Sequence, residues 1–582
     1  MEGCACLTTL GNTSRNSEFS HPEETGMAFE TSQQTKAGAQ RLIEIDVVVV
    51  GAGFAGLYAL HHMRELGFSA RAYEAGGGVG GTWYWNRYPG ARVDIESIEY
   101  SYSFSEELQQ EWSWSERYAA QPELLRYLNH VADRFDLRRD LQLNTRVNSA
   151  VFDENTNRWL IETSQGDRLS AQFCIMATGL LSASNKPNIK GLDTFRGKQY
   201  HTSQWPHEGV DFTGQRVGVV GTGSSGVQSI PVIAQQAQHL FVFQRTPNFS
   251  IPLRNCPMPP DYEQAVKRNY KEWRAKEMES FGGYIALDFK LGVPQTKSAL
   301  AVTPEERLAD YELRWKSGGI SYYTSFPDLL VNPEANATLA AFVRAKIHAK
   351  VNDPKLAERL IPQGYPIMTK RLCADTGYYE TYNRENVTLV DIKNTPIDEV
   401  TPTGVRVDDR EYALDSLVFA TGFDAVTGAL NKIDIRGRGG RQLKEQWAHG
   451  PRTYLGLMSA GFPNLFMVDG PGSPGAFFQP ILLSEYQVQW IGSCLTYLRA
   501  HNSGSIESTE QAEAEWTRHG VEVADQTLFN LSDNWYMGAN IPGKPRVMLM
   551  YIGGFQEYSR RLKEATTTRY RDFQLGAIAQ PA

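Results

Sequence analysis

Two glycine-rich turns, each lying between a β-branched run and a helical pattern, constrain this fold more than any other feature. The pattern G-x-G-x-x-G occurs twice, at Gly51, Gly53 and Gly56 and at Gly221, Gly223 and Gly226. In such a unit the first glycine permits the turn, the second lets the backbone approach a pyrophosphate, and the third lets the helix pack on the strand. The repeat predicts an α/β fold with two Rossmann-like dinucleotide-binding domains.

The end of the strand after each turn distinguishes two cofactors. The segment SARAYEA ends near Glu74, whose carboxylate can accept hydrogen bonds from ribose hydroxyls. The segment HLFVFQRT ends in Arg245 and Thr246, and a guanidinium and a hydroxyl suit a 2′-phosphate. We therefore expect FAD at the first turn and NADPH at the second. Each pyrophosphate would lie at a helix N-terminus, beside Phe54 and Ala55 in one unit and Thr222, Ser224 and Ser225 in the other.

The chain order predicts that one nucleotide domain is inserted into the other. Two apolar strands end in Ala-Thr-Gly, at Gly179 and at Gly422, and such ends suit crossings between domains. The charged, helix-like stretch at about 258–350 is expected to be a helical insertion in the NADP domain with a solvated charged face. The predicted divisions are a disordered leader at 1–40, a first part of the FAD domain at 41–180, the NADP domain at 181–415, and the rest of the FAD domain with a C-terminal loop region at 416–582.

Composition excludes several other classes of protein. Charged residues are 21% of the 582, and the net charge of -8 disfavours a large nucleic-acid footprint. The longest apolar stretch, Val47 to Leu60, is shorter than the roughly 18 residues of a membrane span. The six cysteines include no C-x-x-C pair, which disfavours a zinc site and a disulfide reductase. We expect a cytoplasmic protein without metal, nucleic-acid partner or membrane anchor.

Two further motifs carry a family resemblance. FRGKQYHTSQWP fits F-x-G-x-x-x-H-x-x-x-W-P, and upstream stands GGTWYWNRYPGARVD. Together they resemble the two signatures of type I Baeyer–Villiger monooxygenases, most closely the phenylacetone, steroid and polycyclic ketone monooxygenases, from about Ile43 to beyond Tyr570. N-oxidising flavin monooxygenases carry a similar motif without the Trp-Pro ending, so an N- or S-oxidising enzyme is the alternative. The motif residues are Phe195, Gly197, His201, Trp205 and Pro206, then Gly81, Trp83, Tyr88, Pro89, Gly90 and Asp94.

The resemblance implies a reaction. NADPH would reduce FAD, O2 would add at the flavin C4a, and the resulting peroxide would attack a bulky cyclic or aromatic ketone to give an ester or lactone. Arg371 matches the family's active-site arginine, Asp94 the acid that orients it, and Lys370 a lysine near the NADP phosphate. Arginine keeps its proton and so can stabilise an anion throughout a cycle. A catalytically idle redox sensor, the other alternative, would need neither Asp94 nor Arg371.

The remaining site predictions also come from the resemblance. Trp535, in a loop of aromatics, glycines and prolines, would contact NADP when that loop closes. The motif around His201 would lie on a short helix or an interdomain linker and gate domain movement rather than transfer protons. Asp469 is left outside the predicted site, and the protein is expected to be a monomer. Further cofactor contacts are predicted at Gly81, Thr82, Trp83 and Tyr100, and substrate contacts at Ala476, Phe477 and Phe478.

Overall fold

The computed structural model describes residues 42–286 and 295–578, so the predicted leader at 1–40 lies outside the described residues. Both glycine turns join a buried parallel strand to a helix, which confirms the predicted α/β class. The helices are Phe54–Glu65, Thr82–Trp85, Glu106–Glu111, Gln121–Arg134, Ser224–Gln236, Pro260–Arg268, Tyr270–Glu279, Pro304–Ser317, Pro333–Lys350, Pro354–Leu360, Tyr378–Thr381, Leu443–Gln446, Pro480–Ala500, Glu510–Asp525 and Phe555–Thr567.

The first sheet is built around the strand that precedes the first glycine turn. Its strands in spatial order are Asp434–Arg436, Val147–Asp153, Arg158–Thr163, Arg168–Met176, Ile43–Val50, Ala70–Tyr73 and Leu141–Gln142, with Leu465–Met467 also pairing Arg168–Met176. Val47, Val48 and Val49 are wholly buried. A continuous β-branched run is typical of a parallel strand that is covered on both faces.

The second sheet is parallel throughout and contains the second glycine turn. Its order is Val387–Asp391, His239–Gln244, Arg216–Val220, Ser416–Phe419 and Lys198–His201. The boundary predicted at residue 416 is therefore wrong, because Ser416–Phe419 pairs with Arg216–Val220 inside this sheet. The chain returns to the first sheet only at Asp434–Arg436. An apolar strand ending in Ala-Thr-Gly suits either sheet, so its composition cannot say to which it belongs.

The helical segment predicted at about 258–350 is divided between two cores. Val266, Tyr270 and Trp273 pack in the core of the first sheet, whereas Tyr311 and Val343 pack in that of the second. The prediction of one insertion in the NADP domain is wrong for the part that ends at Glu279. The helical spacing of Val266, Tyr270 and Trp273 predicts an apolar helix face. It does not predict which of the two cores that face packs against.

The charged residues of this segment are not all solvated, contrary to expectation. Arg274 donates to Glu277 at 2.8 Å, and the Glu277 side chain is fully buried. Arg314 donates to Asp310 at 2.8 Å, also inside the protein. Buried charges need partners of this kind, and the i,i+3 and i,i+4 spacings supply them within single helices.

Smaller elements complete the described chain. Three further sheets pair Ser250–Pro252 with Cys373–Asp375, Ser503–Ser508 with Phe573–Ala577, and Glu399–Thr401, Gly404–Val407 and Arg410–Ala413 with one another. Among the helices of residues 42–286 and 295–578, none has the length and apolar character to cross a bilayer. The same residues contain no group of three or more His, Cys, Asp or Glu side chains arranged to hold a metal ion.

Candidate active site

The first and third glycines of each turn are required by close backbone contacts. Gly51 has φ +110°, and a Cβ there would lie 2.4 Å from the carbonyl oxygen of Ala177. A Cβ on Gly56 would lie 1.9 Å from the carbonyl oxygen of Gly51, so the helix packs directly on the turn. Gly221 and Gly226 repeat both contacts in the second unit. The two turns therefore place two helix N-termini at the carboxyl ends of their sheets.

The middle glycine of each turn caps a helix whose first N–H groups receive no side-chain cap from the described residues. A Cβ on Gly223 would meet nothing within 4 Å, and one on Gly53 would meet only Gly81 at 3.4 Å or beyond. Glu74 accepts from the N–H groups of Ala52 at 2.9 Å and Gly76 at 2.7 Å. Both helix ends suit a phosphate, and Glu74 also fixes the first turn.

A cavity of about 600 Å³ joins the carboxyl ends of the two sheets. The predicted residues that line it are Gly51, Gly53, Phe54, Ala55, Glu74, Gly81, Thr82, Trp83, Asp94, Tyr100, Gly223, Ser224, Ser225, Arg371, Ala476, Phe477, Phe478 and Trp535. Those that lie outside its wall are Gly56, Gly221, Thr222, Gly226, Arg245, Thr246, Lys370, Phe195, Gly197, His201 and Trp205. Most of the predicted flavin-side contacts thus share one cavity with the predicted catalytic pair.

Arg371 and Asp94, although 277 residues apart in sequence, form a bidentate ion pair in the cavity wall. The Arg371 Nε and Nη2 donate to the two Asp94 carboxylate oxygens at 2.7 and 2.8 Å, and Nη1 donates to the Ala476 carbonyl at 3.2 Å. Burial alone would lower the pKa of Arg371, but Asp94 raises it well above its usual value. The guanidinium is a fixed cation whose direction is set by two partners.

Two cations, Arg245 and Lys370, lie near each other outside the cavity wall. Arg245 is exposed at the end of its strand, and Thr222 Oγ1 donates to the Thr246 carbonyl at 3.0 Å. Lys370 lies near Arg245, and its Nζ donates to the backbone carbonyl of Asp533. Burial and the charge of Arg245 lower the pKa of Lys370, while Asp533 opposes this. Two neighbouring cations at the end of a nucleotide-binding strand suit a phosphate monoester.

The loop that contains Asp94 connects the two glycine-turn units. The Tyr88 hydroxyl donates to Gln228 Oε1 at 2.8 Å, and a Cβ on Gly90 would lie 2.3 Å from the Gln228 carbonyl. At the other side of this loop, Trp83 Nε1 donates to the Tyr100 hydroxyl at 3.3 Å. The segment Tyr88 to Gly90 therefore packs against the helix of the second glycine turn, which accounts for the tyrosine and the glycine of this motif.

The His201 motif combines a strand of the second sheet with a short 3-10 helix that follows it. His201 ends the strand Lys198–His201, and a single 3-10 turn follows before Trp205. The 3-10 helix Thr202–Gln204 between His201 and Trp205 is the predicted short helix, whereas Lys198–His201, which pairs with Ser416–Phe419, is an edge strand rather than a linker. His201 Nε2 lies 3.3 Å from both the Asn185 carbonyl and Thr421 Oγ1. It therefore contacts both of the segments, one after Gly179 and one around Gly422, that connect the two sheets. Burial lowers the pKa of His201.

The predicted substrate-side residues form an aromatic wall against the C-terminal loop. Phe477 lies 4.7 Å from Tyr536 and 5.2 Å from Phe529, measured between ring centroids. Phe478 stacks on Phe555 at 4.1 Å. Trp535 also lines the cavity.

The cavity residues that the sequence predictions left out include Tyr323, Tyr536 and Asp469. Tyr323 and Tyr536 lie beside Arg371, and Asp469 faces the cavity from the end of the strand Leu465–Met467. The only local signal for Tyr536 was its position next to Trp535. Asp469 was named and set aside, but its Oδ1 is buried without a partner among the described residues, and Ser484 donates to its Oδ2 at 3.1 Å.

Asp469 predicts a pH dependence of stability. Burial raises its pKa to about 7, against the hydrogen bond from Ser484. A folded-state pKa above the unfolded value means that stability is lost as pH rises toward and through 7. Wild type should lose about 2 kcal/mol between pH 5.5 and 8.5 that Asp469→Asn retains. Thermal unfolding over this range is the measurement. Asp409→Asn, at an exposed turn, is the control, and parallel pH profiles for Asp469→Asn and wild type would contradict this assignment.

Known proteins are similar to almost the whole chain. A family model described as pyridine nucleotide-disulphide oxidoreductase matches residues 48–280. A Baeyer-Villiger monooxygenase of Pseudooceanicola batsensis is 41% identical over 555 residues, 94% of this chain and 99% of the relative. A phenazine N-monooxygenase of Lysobacter antibioticus is 42% identical over 536 residues, 91% and 97% of the two chains. A solved structure of oxidized steroid monooxygenase bound to NADP is 52% identical with a TM-score of 0.87, covering 92% of this chain and 99% of that one.

Proposed function

The chain belongs to the Baeyer–Villiger monooxygenase family, and on this premise we propose that it converts ketones to esters or lactones with FAD, NADPH and O2. The observation that carries the proposal is the Arg371–Asp94 pair in the wall of the cavity to which both glycine turns open. When bound, the flavin supplies the activation of oxygen, and the protein supplies binding, orientation and charge. The residues of the chain can be assigned to these tasks separately.

The first unit would hold FAD. Its uncapped helix N-terminus would bind the pyrophosphate, with Gly53 leaving room for it and Glu74 accepting from ribose hydroxyls. The two carboxylate oxygens of Glu74 already accept backbone N–H groups, and a carboxylate has further lone pairs for a ribose hydroxyl. The first domain would begin near residue 41 and be completed by the chain after Gly422.

The second unit would hold NADPH, with Arg245, Thr246 and Lys370 at the 2′-phosphate. We expect Arg245→Ala to raise the Michaelis constant for NADPH far more than that for NADH. A hydrogen bond to a charged group contributes about 1.5–3 kcal/mol, which corresponds to roughly ten- to a hundredfold in affinity. Steady-state kinetics with both nucleotides is the measurement, and Arg410→Ala, at another exposed arginine, is the control. An unchanged preference for NADPH in Arg245→Ala would remove Arg245 from the site.

Arg371 would stabilise the negative charge that develops on oxygen during transfer to the ketone. Asp94 sets the direction of the guanidinium and does not need to exchange a proton. The aromatic wall of Phe477, Trp535 and Tyr536 would limit the access of water, which strengthens this electrostatic effect. His201, which contacts both crossing segments, would couple the two nucleotide domains during gating.

The aromatic lining and the volume of the cavity favour bulky cyclic or aromatic ketones. Oxidation at nitrogen is the second candidate, because one relative is named an N-monooxygenase. The Trp205-Pro206 ending and the Arg371–Asp94 pair favour the ketone. Products formed from a panel of cyclic and aryl ketones and from an amine, identified by gas chromatography with mass spectrometry, decide between the two. An oxidised amine without any ester would reject ketone oxidation.

The working form of the enzyme is proposed to be a cytoplasmic monomer. Support for the compartment comes from the scattered cysteines, which include no C-x-x-C pair. Light scattering coupled to size exclusion gives the mass directly. A dimer would contradict this part of the proposal.

A further inference from the structure

Tyr536 closes the side of the cavity that contains Arg371. It is the middle residue of the short turn Trp535–Met537 in the C-terminal loop, and it is 1% exposed. Its ring contacts Phe477 at 4.7 Å and Phe529 at 5.7 Å. The phenol is therefore held in an aromatic wall of the cavity that Arg371 also lines.

The hydrogen-bonding capacity of Arg371 limits what the Tyr536 hydroxyl can do beside it. A guanidinium has five N–H donors and no acceptor. Arg371 uses two donors on Asp94 and one on the Ala476 carbonyl, and its charge also acts on the Tyr536 hydroxyl in the same cavity wall. The Tyr536 hydroxyl cannot donate to a guanidinium, so its hydrogen is left for another acceptor.

The Tyr536 hydroxyl keeps its proton at neutral pH. Burial raises the pKa of Tyr536 well above its usual value, against the opposing effect of Arg371. Among residues 42–286 and 295–578, no side-chain or backbone oxygen accepts a hydrogen bond from it. A protonated donor beside a fixed cation, in the wall of a substrate-sized cavity, suits an oxygen atom that gains negative charge.

We infer that the Tyr536 hydroxyl donates a hydrogen bond to the carbonyl oxygen of the ketone, and that it is a catalytic residue beside Arg371. The inference rests on the proposed function of Arg371. No bond to Tyr536 forms or breaks, and its proton stays on the phenol. The hydrogen bond strengthens as the carbonyl carbon is attacked and its oxygen becomes negative, so it lowers the barrier more than it improves ketone binding.

Tyr323 is the other phenol beside Arg371, and it provides an internal comparison. Its hydroxyl accepts from the backbone N–H of Leu372 at 3.4 Å, which directs it toward the strand that positions Arg371. We therefore expect Tyr323→Phe to disturb the placement of Arg371 for all ligands alike. Tyr536→Phe should instead affect only ligands that carry a carbonyl oxygen.

Binding tests the contact without turnover. The FAD-loaded enzyme without NADPH is titrated calorimetrically with cyclohexanone and with methylenecyclohexane, which has a CH2 group in place of the oxygen. Tyr536→Phe should weaken cyclohexanone binding about two- to tenfold, the range for one neutral hydrogen bond, and leave methylenecyclohexane unchanged. Equal weakening of both ligands, or of neither, would overturn the inference, as would a carbonyl-specific loss in Tyr323→Phe instead.

Turnover tests the catalytic role. Tyr536→Phe should form ester about a hundredfold more slowly and release the oxidising equivalents as hydrogen peroxide, while anaerobic reduction by NADPH stays normal. Tyr311→Phe is the matched control, because its buried hydroxyl bonds Thr338 at 2.9 Å away from the cavity. Wild-type ester yield per NADPH in Tyr536→Phe would reject the role, and so would a parallel loss of flavin reduction. Normal ester formation by Arg371→Ala would instead reject the proposed function itself.

Discussion

Arg371→Ala is expected to be reduced by NADPH yet to form almost no ester. Removing one preorganised donor from a developing oxyanion costs about 2.7–4 kcal/mol, so ester formation should fall at least about a hundredfold. In the wild type the Asp94 carboxylate accepts hydrogen bonds from two N–H groups of Arg371. The substitution removes both donors. Rapid mixing of the NADPH-reduced enzyme with oxygenated buffer and ketone, followed by separate assays of ester and hydrogen peroxide, gives the measurement.

Two variants separate charge from geometry. Arg371→Lys keeps the positive charge but cannot bind Asp94 through a bidentate pair, so it should recover only part of the activity. Asp94→Ala keeps the arginine but removes the partner that directs it, and should show a milder defect of the same kind. Full flavin content and an unchanged circular dichroism spectrum would establish that each variant is folded. Wild-type ester formation by Arg371→Ala would refute the mechanism.

Gly53→Val is expected to yield folded protein without flavin. A Cβ on Gly53 already meets Gly81 at 3.4 Å, and the valine methyl groups would occupy the space of a pyrophosphate at the helix N-terminus. Steric overlap and lost hydrogen bonds to a charged group together weaken binding at least about a hundredfold. The ratio of absorbance at the flavin band to that at the protein band, after purification, is the measurement.

Gly223→Val is the matched control for this prediction, since it occupies the same position in the second glycine turn. It should retain flavin and lose affinity for NADPH. A yellow Gly53→Val protein with full flavin content would be inconsistent with FAD at the first turn. Loss of flavin from Gly223→Val would instead place FAD at the second turn and NADPH at the first.

Features that depend on local geometry were predictable from the sequence. The two glycine turns combine a β-branched run, fixed glycine spacing and a helical pattern, and all of these act within about twenty residues. Gly51 has a positive φ, and Gly56 packs on the carbonyl of Gly51 within the same turn. The predicted fold class followed from this repetition and is confirmed by the two sheets, each of which has a parallel strand leading into a glycine turn.

Arg371 illustrates what residue types alone could not supply. A Lys-Arg dipeptide is usually a solvated surface feature, and only the family resemblance singled it out. Its partner Asp94 is 277 residues away, and no local pattern relates the two. Tyr536 is a stronger case, because neither spacing nor resemblance marked it, and its relation to Arg371 depends on how the C-terminal loop lies over the cavity.

The sequence by itself determined the two nucleotide-binding units, because hydrophobic periodicity and backbone sterics are short-range. It also determined that the strand after the first turn is followed by an acidic residue and the strand after the second turn by a basic one. Only the tertiary structure decided that Ser416–Phe419 pairs in the second sheet, that His201 ends an edge strand, and that Val266 and Trp273 cover the first core. An apolar strand or helix face gains similar free energy from burial against any apolar surface. The choice of partner is therefore made by the packing of the whole chain.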